Sequence, residues 1–412
     1  MSVQEDQQAV EPRPLAGVKV LAIENFVAGP FATMWLGDAG AEVVKIEQPG
    51  VGDHSRGTSP VKPDAEGRKQ GLSFLRTNRN KRSVTLDLKT EDGKRIFREL
   101  AAKADIFLEN LRPGVMDGLG LGYKELSKIN PRLIYVAVSG FGHDDVKPSP
   151  YSAYPAFDIV AQALSGLMYR PERQGDRPTY LGFSLGDIQS GIVACNGALL
   201  ALIQRGITGK GQKVDISLYD ACLVLNEISV AMFSVMKKKS APGVHAVTAP
   251  FGAYKCKDGY IVIAVLGEHV WVRFAEAIGK PELVGQERFK DGVTRQTNIA
   301  LLNEQIQPWL SARTRHEAVQ GLLDQGVPAS MVNDVDDIFE CPHAAARDMI
   351  VDLEDPVWGK VRVPGNPIKM TGAPDIPLVH PPRLGEHTEE VLEGWLGMTA
   401  KDVAGLRAKK VV

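Results

Sequence analysis

The feature that most constrains the fold is a strand–helix–strand pattern at the start of the chain. Residues 18–23 read VKVLAI and residues 42–47 read EVVKIE, two apolar runs of strand length. Between them, Gly29 and Pro30 open a helical run that ends at Gly40, with proline in a first-turn position. Two strands joined through a helix run parallel, and a parallel sheet carries helices on its faces. The sequence therefore predicts an α/β fold.

Further strand-like runs follow, and helical runs separate several of them. They occupy residues 83–88, 105–109, 132–138 and 212–217. This alternation predicts a Rossmann-like parallel sheet in a large domain. The dinucleotide fingerprint G-x-G-x-x-G is absent from the first turn, so the sequence does not predict an NAD site. Ligands bind beyond the carboxyl ends of such strands, which makes Asn110 and Arg112 candidate contacts after the run 105–109.

The pattern changes after about Lys237. Residues 257–259 read KDG between two strand-like runs, which is typical of a β-hairpin, and helical patterns follow. We therefore predict a smaller α+β domain, with its linkers, over residues 221–326. It would be inserted into the large domain, which takes residues 1–220 and 327–412.

Composition limits the possible partners and surroundings. The 412 residues carry a formal net charge of −2, so the charge balance does not indicate a nucleic-acid partner. The four cysteines are scattered without a C-x-x-C, which predicts free thiols and neither a disulfide framework nor a metal site. The sequence shows no signal peptide and no apolar run of membrane length. We expect a cytoplasmic protein without a membrane partner.

A basic segment precedes the strand-like run at residues 83–88. Residues 78–82 read NRNKR, and three positive charges within four residues could bind a phosphate group. The same pattern also fits an ordinary solvated loop. The sequence leaves both interpretations open.

The stretch LGFSLGD, residues 181–187, is the strongest candidate for a reactive site. Gly182 and Gly186 allow a tight turn, and an apolar run of helical character follows as far as Gly206. Asp187 would lie at the N-terminus of that helix, where backbone N–H groups and the helix dipole stabilise an ionised carboxylate. Such a carboxylate can act as a nucleophile on an acyl group, although aspartate is also a common helix N-cap.

The same stretch also fits G-x-S-x-G, the nucleophile elbow of α/β-hydrolases, with Ser184 as the nucleophile. That alternative requires an acidic residue and a histidine downstream, and an oxyanion loop such as HGGG upstream. The chain has no HGGG, and no downstream histidine has a distinctive setting. A serine hydrolase is kept as an alternative hypothesis.

Eight segments in register resemble the class III CoA-transferase family, which includes formyl-CoA transferase, carnitine CoA-transferase and the 2-methylacyl-CoA racemases. The first segment is residues 18–53. The others read NRNKRSVTLDLKTEDGK, ADIFLENLRPGVMDGLGLGY, NPRLIYVAVSGFG, FDIVAQALSGLM, GDIQSG, TGKGQKVDISLYDA and PPRLGEHTEEVL. They cover nearly the whole chain in the family's order.

The resemblance implies a function and a mechanism. Asp187 matches the catalytic aspartate of the family's GD motif, and it would take the acyl group of an acyl-CoA as a mixed anhydride. An aspartyl-CoA thioester would follow, and a free carboxylic acid would then receive the CoA. Backbone N–H groups of the turn at Gly186 would stabilise each oxyanion. Acyl-CoA would be a substrate rather than a permanently bound cofactor, and no metal would be needed.

The family's CoA contacts carry over to nine positions of this chain. They are Val27, Ala28, Leu86, Lys89, Asn110, Leu111, Arg112, Tyr154 and Phe157. Lys89 and Arg112 would pair with CoA phosphates. Gly118 and Gln48 occupy positions where many relatives have arginine, so two phosphate contacts of the family would be lost or supplied elsewhere.

The resemblance also distinguishes branches of the family. A racemase needs a histidine at the position of Phe157, which cannot transfer a proton. A transferase is therefore favoured, and an acyl-CoA racemase remains the alternative. Val27 stands at the position where formyl-CoA transferase has a glutamine, so the resemblance does not favour that branch of the family. The implied substrates are an acyl-CoA such as succinyl-CoA and a small carboxylic acid, and the implied assembly is an interlocked homodimer.

Overall fold

The computed structural model describes residues 12–169, 177–237 and 247–412. Within these ranges the chain divides into two compact units. The first takes the residues up to 168, from 180 to 226 and from 346 onwards, and the second takes the rest.

The described strands form four sheets. In chain order they are β1 (Lys19–Ile23), β2 (Glu42–Glu47), β3 (Val61–Pro63), β4 (Lys69–Gly71), β5 (Lys81–Thr85), β6 (Ile106–Glu109), β7 (Ile134–Ser139), β8 (Lys213–Ser217), β9 (Phe251–Cys256), β10 (Gly259–Ala264), β11 (Ala329–Met331), β12 (Ile350–Asp355) and β13 (Gly359–Pro364).

The described α-helices vary from one turn to more than six. In chain order they are α1 (Ala28–Asp38), α2 (Leu72–Leu75), α3 (Glu91–Lys103), α4 (Val115–Gly118), α5 (Tyr123–Ile129), α6 (Asp158–Leu164), α7 (Leu185–Thr208), α8 (Leu218–Leu225), α9 (Glu227–Met236), α10 (Glu268–Ala277), α11 (Gly292–Thr297), α12 (Ile299–Ser311), α13 (Arg315–Leu323), α14 (Val335–Phe339), α15 (Pro342–Ala346), α16 (Thr388–Leu396) and α17 (Ala400–Ala408).

A six-stranded parallel sheet forms the centre of the first unit. Its strand order is β5-β2-β1-β6-β7-β8. Numbered along the chain, this sheet reads 3-2-1-4-5-6, which is the strand order of a Rossmann fold. The predicted parallel α/β sheet is confirmed. Its switch point, where the strand order reverses, lies between β1 and β6.

Both faces of this sheet are covered, which explains why its strands read as nearly continuous apolar runs. One face packs against α3, α5, α16 and α17, with Phe97 and Leu126 among the buried residues. The other face packs against α1, α7 and α8. Val20 and Leu21 belong to opposite faces because successive side chains of a strand point in opposite directions.

Helix α7 packs closely on α1, and a glycine makes this approach possible. A Cβ at Gly191 would lie 2.8 Å from the carbonyl oxygen of Ala28 and 3.1 Å from Cβ of Phe31. By length and composition alone, α7 could also cross a membrane, as could α8 and α9 taken as one span. Buried core helices pass the same test, and α7 has Ala194 and Ala198 buried against the sheet.

The second unit contains a three-stranded antiparallel sheet in the order β11-β10-β9. The predicted hairpin is confirmed as β9 and β10. The sequence did not predict the pairing of β11 with β10, and the chain belongs to this unit as far as Ala345. The main segment of the unit starts at Glu227 rather than at residue 221, and the unit also takes Tyr169 and residues 177–179 of the described chain. The predicted limits of 221–326 therefore differ from the observed ones at both ends.

Two helical segments differ from the prediction. The sequence predicts one helix over residues 219–236, but the chain forms α8 and α9 with a break at Asn226. The side-chain amide of Asn226 donates a hydrogen bond to the carbonyl oxygen of Ser165 at 3.0 Å, a tertiary contact that a local pattern does not reveal. After α16, the chain forms a further helix, α17, which was not predicted from the sequence.

Candidate active site

The loops that follow β1 and β6 meet at the switch point of the sheet. The side-chain amide of Asn110 accepts a hydrogen bond from the backbone N–H of Asn25 and donates one to its carbonyl oxygen, both at 2.8 Å. Val27 is the N-cap of α1 and Ala28 is its first residue, and both are buried. Three of the predicted CoA contacts therefore lie where open α/β sheets bind ligands.

Asp187 is half-buried and lies in the first turn of α7, after the N-cap Ser184. Gly191, one turn further along α7, lies against the backbone of Ala28. Residues four positions apart share a face of a helix. Asp187 is therefore on the face of α7 that is turned towards the beginning of α1.

A second carboxylate caps the N-terminus of α7. Oδ1 of Asp158 accepts hydrogen bonds from the backbone N–H groups of Gly186 at 2.7 Å and Asp187 at 3.2 Å. Its Oδ2 accepts from Nε2 of Gln162 at 2.7 Å and from the hydroxyl of Tyr180 at 3.4 Å. The interpretation of Asp187 as the N-cap is wrong, because the buried Asp158 supplies the capping carboxylate from α6.

The pKa of Asp187 is raised to about 7, first by burial and then by the negative charge of Asp158, while Arg76 lowers it to a smaller extent. The sequence predicts that the helix N-terminus stabilises the ionised form of Asp187. That prediction is wrong, since the nearest backbone N–H groups bind Asp158 instead. Near neutral pH the protein holds Asp187 in both protonation states, and the ionised form is more basic than an ordinary aspartate.

Gly186 has no room for a side chain. A Cβ at this position would lie 2.8 Å from Sγ of Cys222 and 3.0 Å from Oδ1 of Asp158. The N–H of Gly186 already donates to Asp158, so it could bind an oxyanion only after this hydrogen bond opens. The oxyanion role of Gly186 stays a prediction.

Arg76 places an exposed positive charge near Asp187. It follows α2, and its charge partly offsets the rise in the pKa of both Asp187 and the Tyr180 hydroxyl. Among the residues that the structure describes, its guanidinium forms neither a hydrogen bond nor an ion pair. An unpaired guanidinium can bind a carboxylate or a phosphate through two N–H groups. Arg76 belongs to none of the sequence motifs, so the sequence did not predict its place near Asp187.

Aromatic rings lie beside Asp158. Phe157, the preceding residue, is 64% exposed and packs edge-on against Phe26, with 6.1 Å between ring centroids. Phe26 stacks on His54 at 5.8 Å, and its φ of 61° is in the left-handed region. Exposed rings next to a candidate nucleophile offer a surface for the apolar part of a ligand.

The other predicted CoA contacts differ in how far they are accessible. Lys89 and Arg112 are both exposed, and neither has an ion pair within the described part of the chain. Tyr154 is exposed and stacks on Tyr151 at 5.3 Å. The side chain of Leu86 is buried in the core, so it is not available to a ligand.

The remaining positions are Leu111, which is a predicted CoA contact, and Gln48 and Gly118, where many relatives have arginine. Leu111 is half-buried, and its N–H donates to Oε2 of Glu109 at 2.7 Å. Gln48, after β2, is exposed, and so is Gly118 at the end of α4. Lys89 and Arg112 are therefore the accessible positive charges among the predicted contacts.

The basic segment at residues 78–82 serves the fold. Arg79 is buried and donates two hydrogen bonds to Asp38, at 3.0 and 2.7 Å. Nζ of Lys81 is buried against Glu24 at 2.7 Å. For Arg79 and Lys81, both interpretations of the sequence, a phosphate site and a solvated loop, are wrong.

Ser184 does not have the surroundings of a hydrolase nucleophile. It is the N-cap of α7, and no histidine is hydrogen-bonded to its hydroxyl in the described ranges. The same ranges contain no group of three or more His, Cys, Asp or Glu side chains placed to hold a metal ion. The reactive group that the geometry offers is the carboxylate of Asp187.

A Rossmann-like sheet, with a titratable carboxylate at a helix start beside its switch point, is the architecture of an α/β enzyme. The family model of CoA-transferase family III matches residues 15–388. The chain is 35% identical over 407 residues to the succinyl-CoA–L-malate CoA-transferase beta subunit of Chloroflexus aurantiacus, covering 97% of this chain and 98% of that one. It is 37% identical over 365 residues to the acetyl-CoA:oxalate CoA-transferase of Acetobacter aceti, covering 88% and 90%.

A solved structure agrees with these similarities. The CAIB/BAIF family protein from Brucella suis superposes with a TM-score of 0.81 at 32% identity, over 93% of this chain and 100% of that one. The chain belongs to CoA-transferase family III. It is an enzyme of the CoA-transferase class, as the resemblance predicted.

Proposed function

We propose that this enzyme transfers CoA from succinyl-CoA to a dicarboxylic acid, with Asp187 as the covalent nucleophile. The observation that carries the proposal is the placement of Asp187 in the first turn of α7, facing the start of α1, with a pKa of about 7. An ionised carboxylate of this basicity is a stronger nucleophile towards a thioester than an ordinary aspartate.

Four acyl transfers complete one exchange. Asp187 attacks the thioester carbonyl of the donor, which gives a mixed anhydride and CoA thiolate. The thiolate attacks the aspartyl carbonyl, which gives an aspartyl-CoA thioester and releases the first acid. The acceptor carboxylate attacks this thioester, and the thiolate then attacks the acyl carbonyl of the second anhydride, which restores Asp187. No net proton is taken up or released, and each step uses an activated acyl group.

The charge of Asp158 favours the first of these steps. Two carboxylates held close together in buried surroundings repel each other, and this contributes to the raised pKa of Asp187. Formation of the anhydride turns Asp187 into a neutral acyl derivative and removes the repulsion. The covalent intermediate is therefore stabilised relative to the free, ionised enzyme.

Arg76 supports a dicarboxylic acid as the substrate. Its positive charge lowers the pKa of Asp187, and its guanidinium has no ion pair in the described ranges. A substrate that reacts through one carboxyl group at Asp187 could bind Arg76 through its second. The substrates in the names of the two relatives include succinyl-CoA, L-malate and oxalate, which all derive from dicarboxylic acids.

We propose that the CoA part of the substrate binds across the switch point. The backbone of Val27 and Ala28 presents the N-terminus of α1, which favours a negatively charged group. Lys89 and Arg112 carry the charges that suit the phosphates. The exposed rings of Tyr154 and Phe157 offer apolar contact area.

We also propose the interlocked homodimer that the resemblance implies, with the smaller domain inserted into the larger. Helix α9 supports a partner surface, because it is apolar and none of its residues is buried in this chain. Its side chains that are about half exposed or more are Ile228, Val230, Phe233, Val235 and Met236. Exposed apolar patches of this kind mark interaction sites. Analytical ultracentrifugation should give the mass of two chains.

The proposed reaction is tested by incubating the enzyme with succinyl-CoA and a panel of free acids. We expect a new acyl-CoA from dicarboxylic acids, its loss in Asp187→Ala and its survival in Ser184→Ala. Hydroxylamine added with acyl-CoA should label position 187. Labelling elsewhere, or loss of activity in Ser184→Ala alone, would refute the proposed nucleophile. Deuterium exchange at the α-carbon without a new acyl-CoA would identify a racemase.

A further inference from the structure

A buried group of titratable side chains lies on or directly after the strands β6, β7 and β8, apart from the carboxylates beside α7. It consists of Glu109, His143 and Asp215, which we call the β6–β8 cluster. Nδ1 of His143 is 2.8 Å from Oδ1 of Asp215, and its Nε2 is 3.7 Å from Oε1 of Glu109. The side chains are no more than 9% exposed. None of the four acyl transfers uses them.

Glu109 holds the loop that carries three of the predicted CoA contacts. Its Oε2 accepts the backbone N–H of Leu111 at 2.7 Å, and its Oε1 accepts the hydroxyl of Tyr135 at 3.4 Å. Leu111 lies between Asn110 and Arg112. Asn110 is also tied to the backbone of Asn25, and Glu109 is the buried carboxylate that holds the next residue of the loop.

Asp215 fixes the other side of the cluster. It accepts the backbone N–H of His143 at 3.1 Å and binds the ring of the same residue. This orients the ring so that Nε2 faces Glu109. The other charged groups around the cluster are Lys213, whose charge acts on Glu109, Asp145, which pairs with Lys213 at 2.6 Å, and Asp220, which interacts with Asp215. In addition, the negative charge of Asp117 contributes to raising the pKa of the Tyr135 hydroxyl.

We propose that Glu109 is a positioning residue for CoA, whose ionised carboxylate holds the N–H of Leu111 and thereby the loop from Asn110 to Arg112. The inference rests on the proposed CoA site at this loop. A charged carboxylate is a stronger acceptor than a neutral carboxyl group. Protonation of Glu109 therefore weakens the bond to Leu111 and loosens the loop.

The pH range of this effect follows from the surroundings of Glu109. Burial raises its pKa to about 7, against the opposing effects of the Leu111 N–H, His143 and Lys213. Above this pH the carboxylate is ionised and the loop is held. As the pH falls through about 7, Glu109 becomes neutral and the hold weakens. The affinity for CoA should therefore decrease towards acid pH.

The test measures the dissociation constant of free CoA between about pH 6 and about pH 8.5. The measurements use the Asp187→Asn variant, so that ionisation of the nucleophile does not contribute. Dephospho-CoA is measured in parallel, because a phosphate monoester has its own ionisation near pH 6. We expect binding of both ligands to weaken by up to about tenfold towards pH 6. Adding Glu109→Gln should remove this dependence for dephospho-CoA.

Two further variants complete the design. Tyr135→Phe removes a hydrogen-bond donor to Glu109 and should move the midpoint to higher pH, since that bond favours the ionised form. Glu125→Gln, in the exposed part of α5, is the matched control and should leave the curve unchanged. Wild-type pH dependence in Glu109→Gln, or an unmoved midpoint in Tyr135→Phe, would overturn the inference. Absence of CoA binding in every variant would instead refute the CoA site itself.

Discussion

Two groups of buried charges in the first unit are built in opposite ways. In one group, Nζ of Lys45 lies 2.7 Å from Asp53 and 3.4 Å from Glu24, while Nζ of Lys81 lies 2.7 Å from Glu24. All four side chains are fully buried. Each charge in this matched network faces an opposite charge.

At the start of α7 the neighbours are two carboxylates, Asp158 and Asp187. Burial and repulsion raise the pKa of Asp187 to about 7. In the matched network, burial alone would raise the pKa of Asp53, but Lys45 lowers it below the usual value. The difference shows that matched buried charges stabilise the fold, whereas an unmatched carboxylate keeps a reactive, titratable state.

Breaking the matched network should have the largest effect. Lys45→Met leaves Asp53 without its buried cation and Glu24 with Lys81 alone, so we expect the free energy of unfolding to fall by about 3–5 kcal/mol. Urea denaturation measures the change. Lys128→Met, an exposed lysine paired with Glu125, is the control and should stay within about 0.5 kcal/mol of the unmodified protein. Equal stability of the two variants would contradict the role given to the network.

The next largest effect should come from a substitution that crowds the two unmatched carboxylates, Asp158 and Asp187. In Gly186→Ala the new methyl group pushes on Asp158 and Cys222, so the start of α7 must shift. A displacement of this kind should lower kcat about 100-fold, measured by the exchange assay. Gly394→Ala, in α16, meets no atom within 4 Å and should keep full activity. An active Gly186→Ala enzyme would show that the contact with Asp158 is not required.

Neutralising one carboxylate should change the pH profile. Asp187 must be ionised to attack, so kcat/KM for acyl-CoA should rise with pH through about 7. Asp158→Asn removes the repelling charge and should move this rise to lower pH. The remaining burial keeps the pKa of Asp187 above its usual value, since burial is the larger cause. Asp352→Asn, on β12, is the control, and an identical rise in both variants would rule out coupling between the carboxylates.

The smallest effect should come from the exposed cation. Arg76→Gln removes the proposed partner of the second carboxylate, so KM for a dicarboxylic acceptor should rise about tenfold with little change in kcat. KM for a monocarboxylic acid should stay the same. Arg95→Gln, an exposed arginine of α3, is the control. A rise in KM that is equal for both kinds of acid would contradict the role of Arg76 in substrate choice.

Much of the fold could be predicted from local patterns. The runs that became β1 and β2, with α1 between them, were predicted because strand and helix periods are short-range features. The break at Asn226 was not predicted, because it depends on a hydrogen bond to Ser165, 61 positions away in the chain. Strand β11 was missed for a similar reason, since three residues become a strand only by pairing with β10.

The candidate site was predicted less completely. Asp187 was found through its motif, but its partner Asp158 is 29 positions away, and no local pattern links the two carboxylates. No pattern linked Glu109, His143 and Asp215, which come from β6, the loop after β7 and β8. The NRNKR segment was misread because nothing local reveals that Asp38 and Glu24 lie within reach of its side chains.

The sequence by itself determined the parallel sheet, the family and the position of Asp187, because apolar periods and motifs are written into consecutive residues. Only the tertiary structure decided the chemical state of that carboxylate. A pKa depends on burial and on charges brought together from distant segments, and Asp158 supplies here both the cap of α7 and the repulsion felt by Asp187.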